Sequence, residues 1–341
     1  RRHTRRRMKL RSAAPVAVAV ASACAILTLT LANRLLPAAE GGAAELFRIE
    51  RGASLSAVSA QLERRGLVRS ALATEWLGRF DGRAGTLRSG EYEVSADMTP
   101  REMLAHFAEG PMKTWSVAIP EGLRLEEIAA RLEAAGLVSA EAFVVVARDP
   151  AFVASLGLPG ESLEGYLFPE TYRLPRDLPA REVARILTRE FQKAWAPLEG
   201  AASERGLSLR EVVILASIVE KETADPSERG RVASVFLNRL ARKIPLATDP
   251  AVIYGIEDFD GNLKRKHLRD LQNPYNTYLH PGLPPGPISN PGAAALRAVV
   301  QPEETDYLFF VSRGDGRHVF SRTYAEHDAA VDRYQRRRRR P

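Results

Sequence analysis

The chain has 341 residues, 45% of them hydrophobic and 27% charged, and a single cysteine, Cys24. That length and composition belong to folded protein with room for two ordinary domains. One cysteine excludes an intramolecular disulfide framework and a zinc cage of several thiolates. The net charge of +7 resides at the ends, with seven basic residues within 1–11 and five more from Arg336 to Arg340. The remainder holds 37 basic against 42 acidic residues, a body that a phosphate backbone repels, which argues against nucleic acid as a partner.

Residues 12–32 carry no charge and are mostly Ala, Val, Leu, Ile and Thr, about the 20 residues a spanning helix needs. The basic stub 1–11 precedes them directly. Positive residues stay cytoplasmic, so the sequence predicts an uncleaved single-pass membrane anchor over 12–36, with lipid as its partner and everything from 37 onward on the far side. The apolar core of a cleaved signal peptide spans only about 7–15 residues. Cys24 follows the small residues Ala21, Ser22 and Ala23, as a lipidation site would, but the apolar run continues through Ile26, Leu27, Leu29 and Leu31, so a spectator thiol is expected. The basic tail over 335–341 reads as a solvated end.

A short Ala/Gly-rich linker, 37–46, leads to an internal repeat at an offset of 70. Ile49, Gly52, Leu55, Val58, Leu62 and Gly66 line up with Ile119, Gly122, Leu125, Ile128, Leu132 and Gly136. Each copy reads as a strand, a glycine turn, an amphipathic helix and a glycine stop. Between them, residues 90–95 alternate as a strand, and Thr99-Pro100-Arg101-Glu102 is a capping box opening a helix to about residue 108. Strand-helix-helix-strand units of this kind resemble LysM modules, so the region 47–160 is expected to be a LysM-like α+β region that contacts glycan or protein partners.

The chemistry lies in residues 161–334. Ser208-Leu209-Arg210-Glu211 is a second capping box, opening a helix from Leu209 to about Thr223 whose segment 212–219 is apolar nearly all round and therefore buried. Glu220 stands at the end of that run. Burial and the negative end of the helix both favour the protonated acid, as a general acid requires. The opposing reading is a helix-end ion pair, with Lys221 or Lys243 as the cation. Glu222 is two residues on, about 200° around the helix, and cannot flank the same bond as Glu220. A second carboxylate, such as Glu164 or Glu170, would have to be brought in by folding.

Downstream, Asp225-Pro226 is expected to start a helix, and Asp249-Pro250 leads into Ala251-Val252-Ile253-Tyr254-Gly255. The proline-rich stretch 273–292 is too broken for helix or central strand and reads as an ordered loop, whose Tyr and Asn side chains suit sugar hydroxyls and acetamido groups. Residues 307–312 and 318–321 flank a glycine-bearing turn as a hairpin, and a helix from about 324 to 334 closes the fold.

Five segments in order carry a resemblance. These are Leu163-Glu164-Gly165-Tyr166-Leu167-Phe168-Pro169-Glu170-Thr171-Tyr172, Ala216-Ser217-Ile218-Val219-Glu220-Lys221-Glu222-Thr223, Thr248-Asp249-Pro250-Ala251-Val252-Ile253-Tyr254-Gly255, Tyr275-Asn276-Thr277-Tyr278 with Gly282-Leu283-Pro284-Pro285-Gly286, and His318-Val319-Phe320-Ser321. With them the chain, from residue 47 to about 334, resembles the endolytic murein transglycosylase family, MltG or YceG-like. The fold then expected is α+β: a single N-terminal transmembrane helix, the LysM-like region and an α+β catalytic domain. The resemblance implies a lytic transglycosylase that cuts between N-acetylmuramic acid and N-acetylglucosamine within new peptidoglycan glycan strands, leaving 1,6-anhydromuramyl ends and terminating strand elongation, with membrane-bound synthases as further partners. It places Glu220 on the catalytic glutamate and leaves Glu222 without a role. Glu164, Tyr166, Thr248, Asp249, Tyr254, Asn276 and Tyr278 become the expected substrate-binding residues. Glu170 and Ala251 depart from residues common in relatives, Asp and Thr.

A hydrolytic muramidase, using a second carboxylate and water, is the alternative enzyme; a non-catalytic membrane-tethered glycan or synthase binder is the alternative of another class. The six histidines form no i, i+4 pair on one helix and no His-Glu-x-x-His motif, and no glycine-rich phosphate loop is present, so neither metal nor cofactor is expected.

Overall fold

A computed structural model describes residues 2–336 apart from 177 and 224. Residues 337–341, most of the basic tail, lie outside the described residues, as do the side chains of the N-terminal basic stub. Helix α1 (Arg2–Arg34) contains the expected apolar segment: Val16–Arg34 has a mean hydropathy of 2.0, none of it is buried by the rest of the chain, and it is long and apolar enough to cross a membrane.

The chain divides into two compact units. In the first, strand β1 (Glu45–Ile49), helices α2 (Leu55–Arg64) and α3 (Ala71–Phe80) and strand β2 (Gly90–Val94) are followed by α4 (Pro100–Glu109). β1 and β2 pair antiparallel, with Phe47 opposite Tyr92. The inward residues of both strands meet Leu55, Val58 and Leu62 of α2 and Met103, Leu104 and Phe107 of α4 in one buried cluster. The capping box foreseen at Thr99 and Glu102 is present.

The second unit opens with the second copy of the repeat. Strand β3 (Trp115–Ala118), helices α5 (Leu125–Ala134), α6 (Ala140–Ala147) and α7 (Pro150–Ser155) and strand β4 (Thr171–Leu174) follow in order. β3 pairs antiparallel with β4, Val117 opposite Tyr172. The 47–160 region was expected as one piece, but the chain divides at Thr114/Trp115, with 175–177 joining the first unit. The reason is core membership: Val117, Ile119, Leu125, Ile128 and Leu132 are buried in one cluster with Val183, Val212 and Ile218 of the second unit.

Around that core stand α8 (Ala180–Trp195), α9 (Glu199–Glu204), α10 (Leu209–Glu222), α11 (Arg229–Ala241), α12 (Asp249–Tyr254) and α13 (Ala293–Val300). α8 turns Val183, Leu187 and Phe191 inward. α10 is central, packed on α11 and α13, with Val212 to Val219 all buried and the Ser208–Glu211 capping box closed at its start. α11 begins at Arg229 rather than at Asp225, because Asp225 accepts from the amide and hydroxyl of Ser227 and makes a turn of that segment. The hairpin is β5 (Phe309–Ser312) with β6 (His318–Ser321). The last helix, α14, is Tyr324–Val331, and the chain continues as a wider turn to Arg336.

Candidate active site

The end of α10 presents two carboxylates to two surroundings. Glu220 Oε1 accepts from Arg229 NH2 at 2.7 Å, and Oε2 accepts from the Gly292 amide at 3.0 Å. The same Arg229 nitrogen reaches Glu121 Oε2 at 3.1 Å. Glu220 and Arg229 side chains are 5% and 10% exposed, so this is an enclosed ion pair with both carboxylate oxygens occupied. Burial raises the Glu220 pKa, the Gly292 amide and Arg229 pull it down, and Glu121 raises it. The helix-end ion pair that the sequence set against a free acid is therefore present. Its cation is neither Lys221, which donates to the Gly122 carbonyl at 3.2 Å, nor Lys243, but Arg229 from the first turn of α11.

Glu222, on the opposite side of the helix as the rotation requires, lines a cavity of about 510 Å³ together with Asp249, Tyr278, Arg239, His318, Phe309 and Tyr324. Thr248 donates its hydroxyl to Glu222 Oε1, while Oε2 has no protein partner among the described residues. Burial raises the Glu222 pKa to about 7, opposed by the Thr248 hydrogen bond, raised further by Asp249 and lowered by His318 and Arg239. Asp249 accepts from the Tyr278 hydroxyl at 2.7 Å. Arg239 is spent on the carbonyls of Leu308, Pro245 and Leu246. His318 Nδ1 meets Glu228 Oε2 at 2.7 Å, both side chains nearly buried. Phe309 and the exposed Tyr324 supply aromatic surface.

Glu164, Tyr166 and Tyr254 come together elsewhere, around a cavity of about 360 Å³ with Tyr275 and Arg210. Glu164 is buried and accepts from the Leu125 amide at 3.2 Å, Asn290 Nδ2 at 2.7 Å and the Tyr254 hydroxyl at 3.1 Å. Burial pushes its pKa to about 7 despite those donors. Tyr254 packs on Tyr275 with ring centroids 4.8 Å apart, under the Arg124 guanidinium. Tyr166 is buried edge-on against Phe191, its hydroxyl without a hydrogen-bond partner among the described residues. Asn276 is fully buried and faces neither cavity: its amide donates to the carbonyls of His267 and Asp270 and accepts from the Tyr278 amide. It is a staple of the loop that carries Tyr278. The Glu170 side chain accepts from the adjacent Thr171 amide, and its carbonyl accepts from the Ile119 amide.

The expected residues thus separate. Thr248, Asp249 and Tyr278 gather at Glu222; Glu164, Tyr166 and Tyr254 gather at the second cavity; Glu220 and Asn276 line neither. Reasoning from the sequence passed over Arg229, Glu228, Arg239, Phe309 and Tyr324. His318 stood within the His318-Val319-Phe320-Ser321 segment, and no local signal joins Glu222 to Thr248 and Asp249, which only the fold brings to it. Among the described residues no group of three or more His, Cys, Asp or Glu stands in position to hold a metal ion. What the Glu222 cavity can supply is a proton at near-neutral pH beside a second carboxylate and an aromatic wall.

Comparison with known proteins agrees with the resemblance. The YceG-like family model matches residues 47–333. A Bacillus subtilis (strain 168) protein named endolytic murein transglycosylase is 28% identical over 304 residues, 84% of each chain. A Streptococcus pneumoniae (serotype 2, strain D39) protein of the same name is 26% identical over 315 residues, and the match takes in 83% of this chain but only 57% of the pneumococcal one. The crystal structure of a yceG-like protein from Listeria monocytogenes is similar at 30% identity with a TM-score of 0.59, covering 85% of this chain and all of that one. The chain belongs to the YceG-like family.

Proposed function

We propose that the protein is a membrane-anchored endolytic lytic transglycosylase of peptidoglycan, and that Glu222, rather than Glu220, is its acid and base. The observation that carries the assignment is the contrast at the end of α10. Glu220 has both oxygens committed and a guanidinium at 2.7 Å, whereas Glu222 has an uncommitted oxygen, lines a cavity of about 510 Å³ and holds its proton to about pH 7.

With Thr248 on Oε1, the neutral acid carries its proton on Oε2. That proton goes to the glycosidic oxygen between N-acetylmuramic acid and N-acetylglucosamine as the C1–O bond breaks. The resulting carboxylate takes the proton of the muramyl C6 hydroxyl while its oxygen bonds to C1, which closes the 1,6-anhydro ring and restores the acid. No water is consumed and one carboxylate suffices. Phe309, Tyr324 and Tyr278 offer surfaces on which sugar rings stack, and Asp249 lines the same cavity.

In this reading α1 spans the inner membrane with the stub 1–11 in the cytoplasm, strand elongation ends where the enzyme cuts, and the β-α-α-β copies act as LysM-like contacts for glycan or for membrane-bound synthases. A second reading has one observation in its favour. Asp249 in the same cavity could activate water, which would make the enzyme a muramidase.

The test is to incubate the full chain in detergent with uncrosslinked glycan strands, beside Glu222→Gln and Glu220→Gln, and to weigh the products. Anhydro ends from wild type and Glu220→Gln, with none from Glu222→Gln, are expected. Reducing ends about 18 Da heavier would establish hydrolysis. Loss with Glu220→Gln alone, in a folded sample, would return the acid to Glu220, and no cutting by the wild type would support the binder.

A further inference from the structure

Helix α3 has two faces. The inner one, Ala73, Thr74 and Gly78, is buried in the first unit, so closely that a Cβ on Gly78 would stand 2.8 Å from Leu55 Cδ2. The outer one carries Leu72, Trp76 and Phe80, which are 65%, 68% and 88% exposed. A spacing of four places the three in one stripe along the helix. Single exposed apolar side chains are ordinary, but three large ones in a row mark a surface made to meet something apolar.

The helix starts where the apolar span ends. Arg34, the last residue of α1, donates to the hydroxyl of Ser70 at 3.3 Å, and Ser70 is the N-cap of α3. Arg69 donates to the Pro37 carbonyl and to Asn33 Oδ1, both at 2.8 Å. At a rise of about 1.5 Å per residue the helix is about 15 Å long, so its whole stripe lies within that distance of the span's end. The headgroup layer beyond the hydrocarbon core is about 5–7 Å deep on each side. Tryptophan is the side chain most at home there, with an apolar ring and a wet N–H.

We propose that the Leu72–Trp76–Phe80 face of α3 lies in the lipid headgroup layer at the exit of α1, so that the first unit rests on the membrane surface rather than hanging from it. The proposal rests on α1 as a membrane span, and the occupant it commits to is lipid, because the helix that carries the stripe begins one hydrogen bond away from Arg34, where the apolar span ends. Interfacial helices bind in this way, with the apolar face shallowly inserted and the polar face outward; here the polar flank is the Glu75–Arg79 pair, at 2.6 Å.

The experiment uses the full chain reconstituted in vesicles of phosphatidylethanolamine and phosphatidylglycerol. The chain has three tryptophans, so the emission of Trp76 is taken as the difference between wild type and W76F. That difference is expected to be quenched by a lipid-borne quencher near the headgroup and to be protected from iodide. The double variant L72S/F80S is expected to lose both effects while still floating with the vesicles through α1. Difference emission that iodide quenches and the lipid-borne quencher does not would overturn the proposal and leave the stripe to a protein partner. A wild type that alkaline washing strips from the vesicles would overturn the span and the proposal with it, a result distinguishable from the former by flotation alone.

Discussion

Two glutamates two residues apart in the chain differ because the helix sends them to different neighbours. Glu222→Gln should lower turnover by about 10²–10⁴, the worth of a general acid, with binding of glycan strands retained, as measured by product formation and by co-sedimentation. Glu220→Gln should keep the chemistry. Arg229→Met, which leaves Glu220 buried without its cation, should cost stability, about 3 kcal/mol, read by denaturant unfolding. Because only protonated Glu222 donates, activity should fall as pH rises through about 7. The Thr248 hydroxyl holds that pKa down, so Thr248→Val should move the alkaline limb of the rate profile to higher pH. Residue-level reasoning from sequence singled out the end of α10 and the 200° separation of its two carboxylates. It could not see which side faced a cavity, since that depends on Arg229 and Gly292, which lie 9 and 72 residues beyond Glu220.

At the scale of elements, α10 is fastened to the proline-rich loop by side chains as well as by packing. Ser217 donates to the Ile214 carbonyl and accepts from the Ile288 amide at 3.0 Å, while Ser289 returns a hydrogen bond to the Ser217 carbonyl. Ser217→Ala orphans a buried amide and should cost about 1–3 kcal/mol, detectable as a lowered denaturation midpoint. Gly165, between Glu164 and Tyr166, has φ +86°, and a Cβ there would stand 2.6 Å from Val213 and 2.7 Å from Pro287. Gly165 therefore combines left-handed backbone with close approach. Capping boxes, the apolar run of α10, the glycine-turn hairpin and the extent of the loop were all legible, because each is local chemistry. The division at 114/115 was not. The copies of the repeat look alike in sequence, and only long-range core membership assigns the second to the other unit.

For the molecule as a whole, Glu164 links stability to pH. Its pKa is about 7 in the fold against an ordinary 4.5, so the folded chain binds more protons than the unfolded one between those values and stability falls as pH rises through that window, by about 3 kcal/mol. Glu222 acts in the same direction. Unfolding free energies at pH 5 and pH 8 should show the decline, and Glu164→Gln should flatten much of it. The repeat has a further consequence. Gly52 and Gly122 close the same turn in the two copies, at φ +78° and +77°. A Cβ on Gly52 would meet nothing within 4 Å, whereas one on Gly122 would touch Glu220 Cγ at 3.5 Å and Lys221 Cδ at 3.7 Å. The left-handed backbone favours glycine in both turns, but the first copy has open space around it while its twin lies against α10. The two should age at different speeds over descent, the first drifting in length and in the residues beside its glycine, the second held to a fixed path against α10.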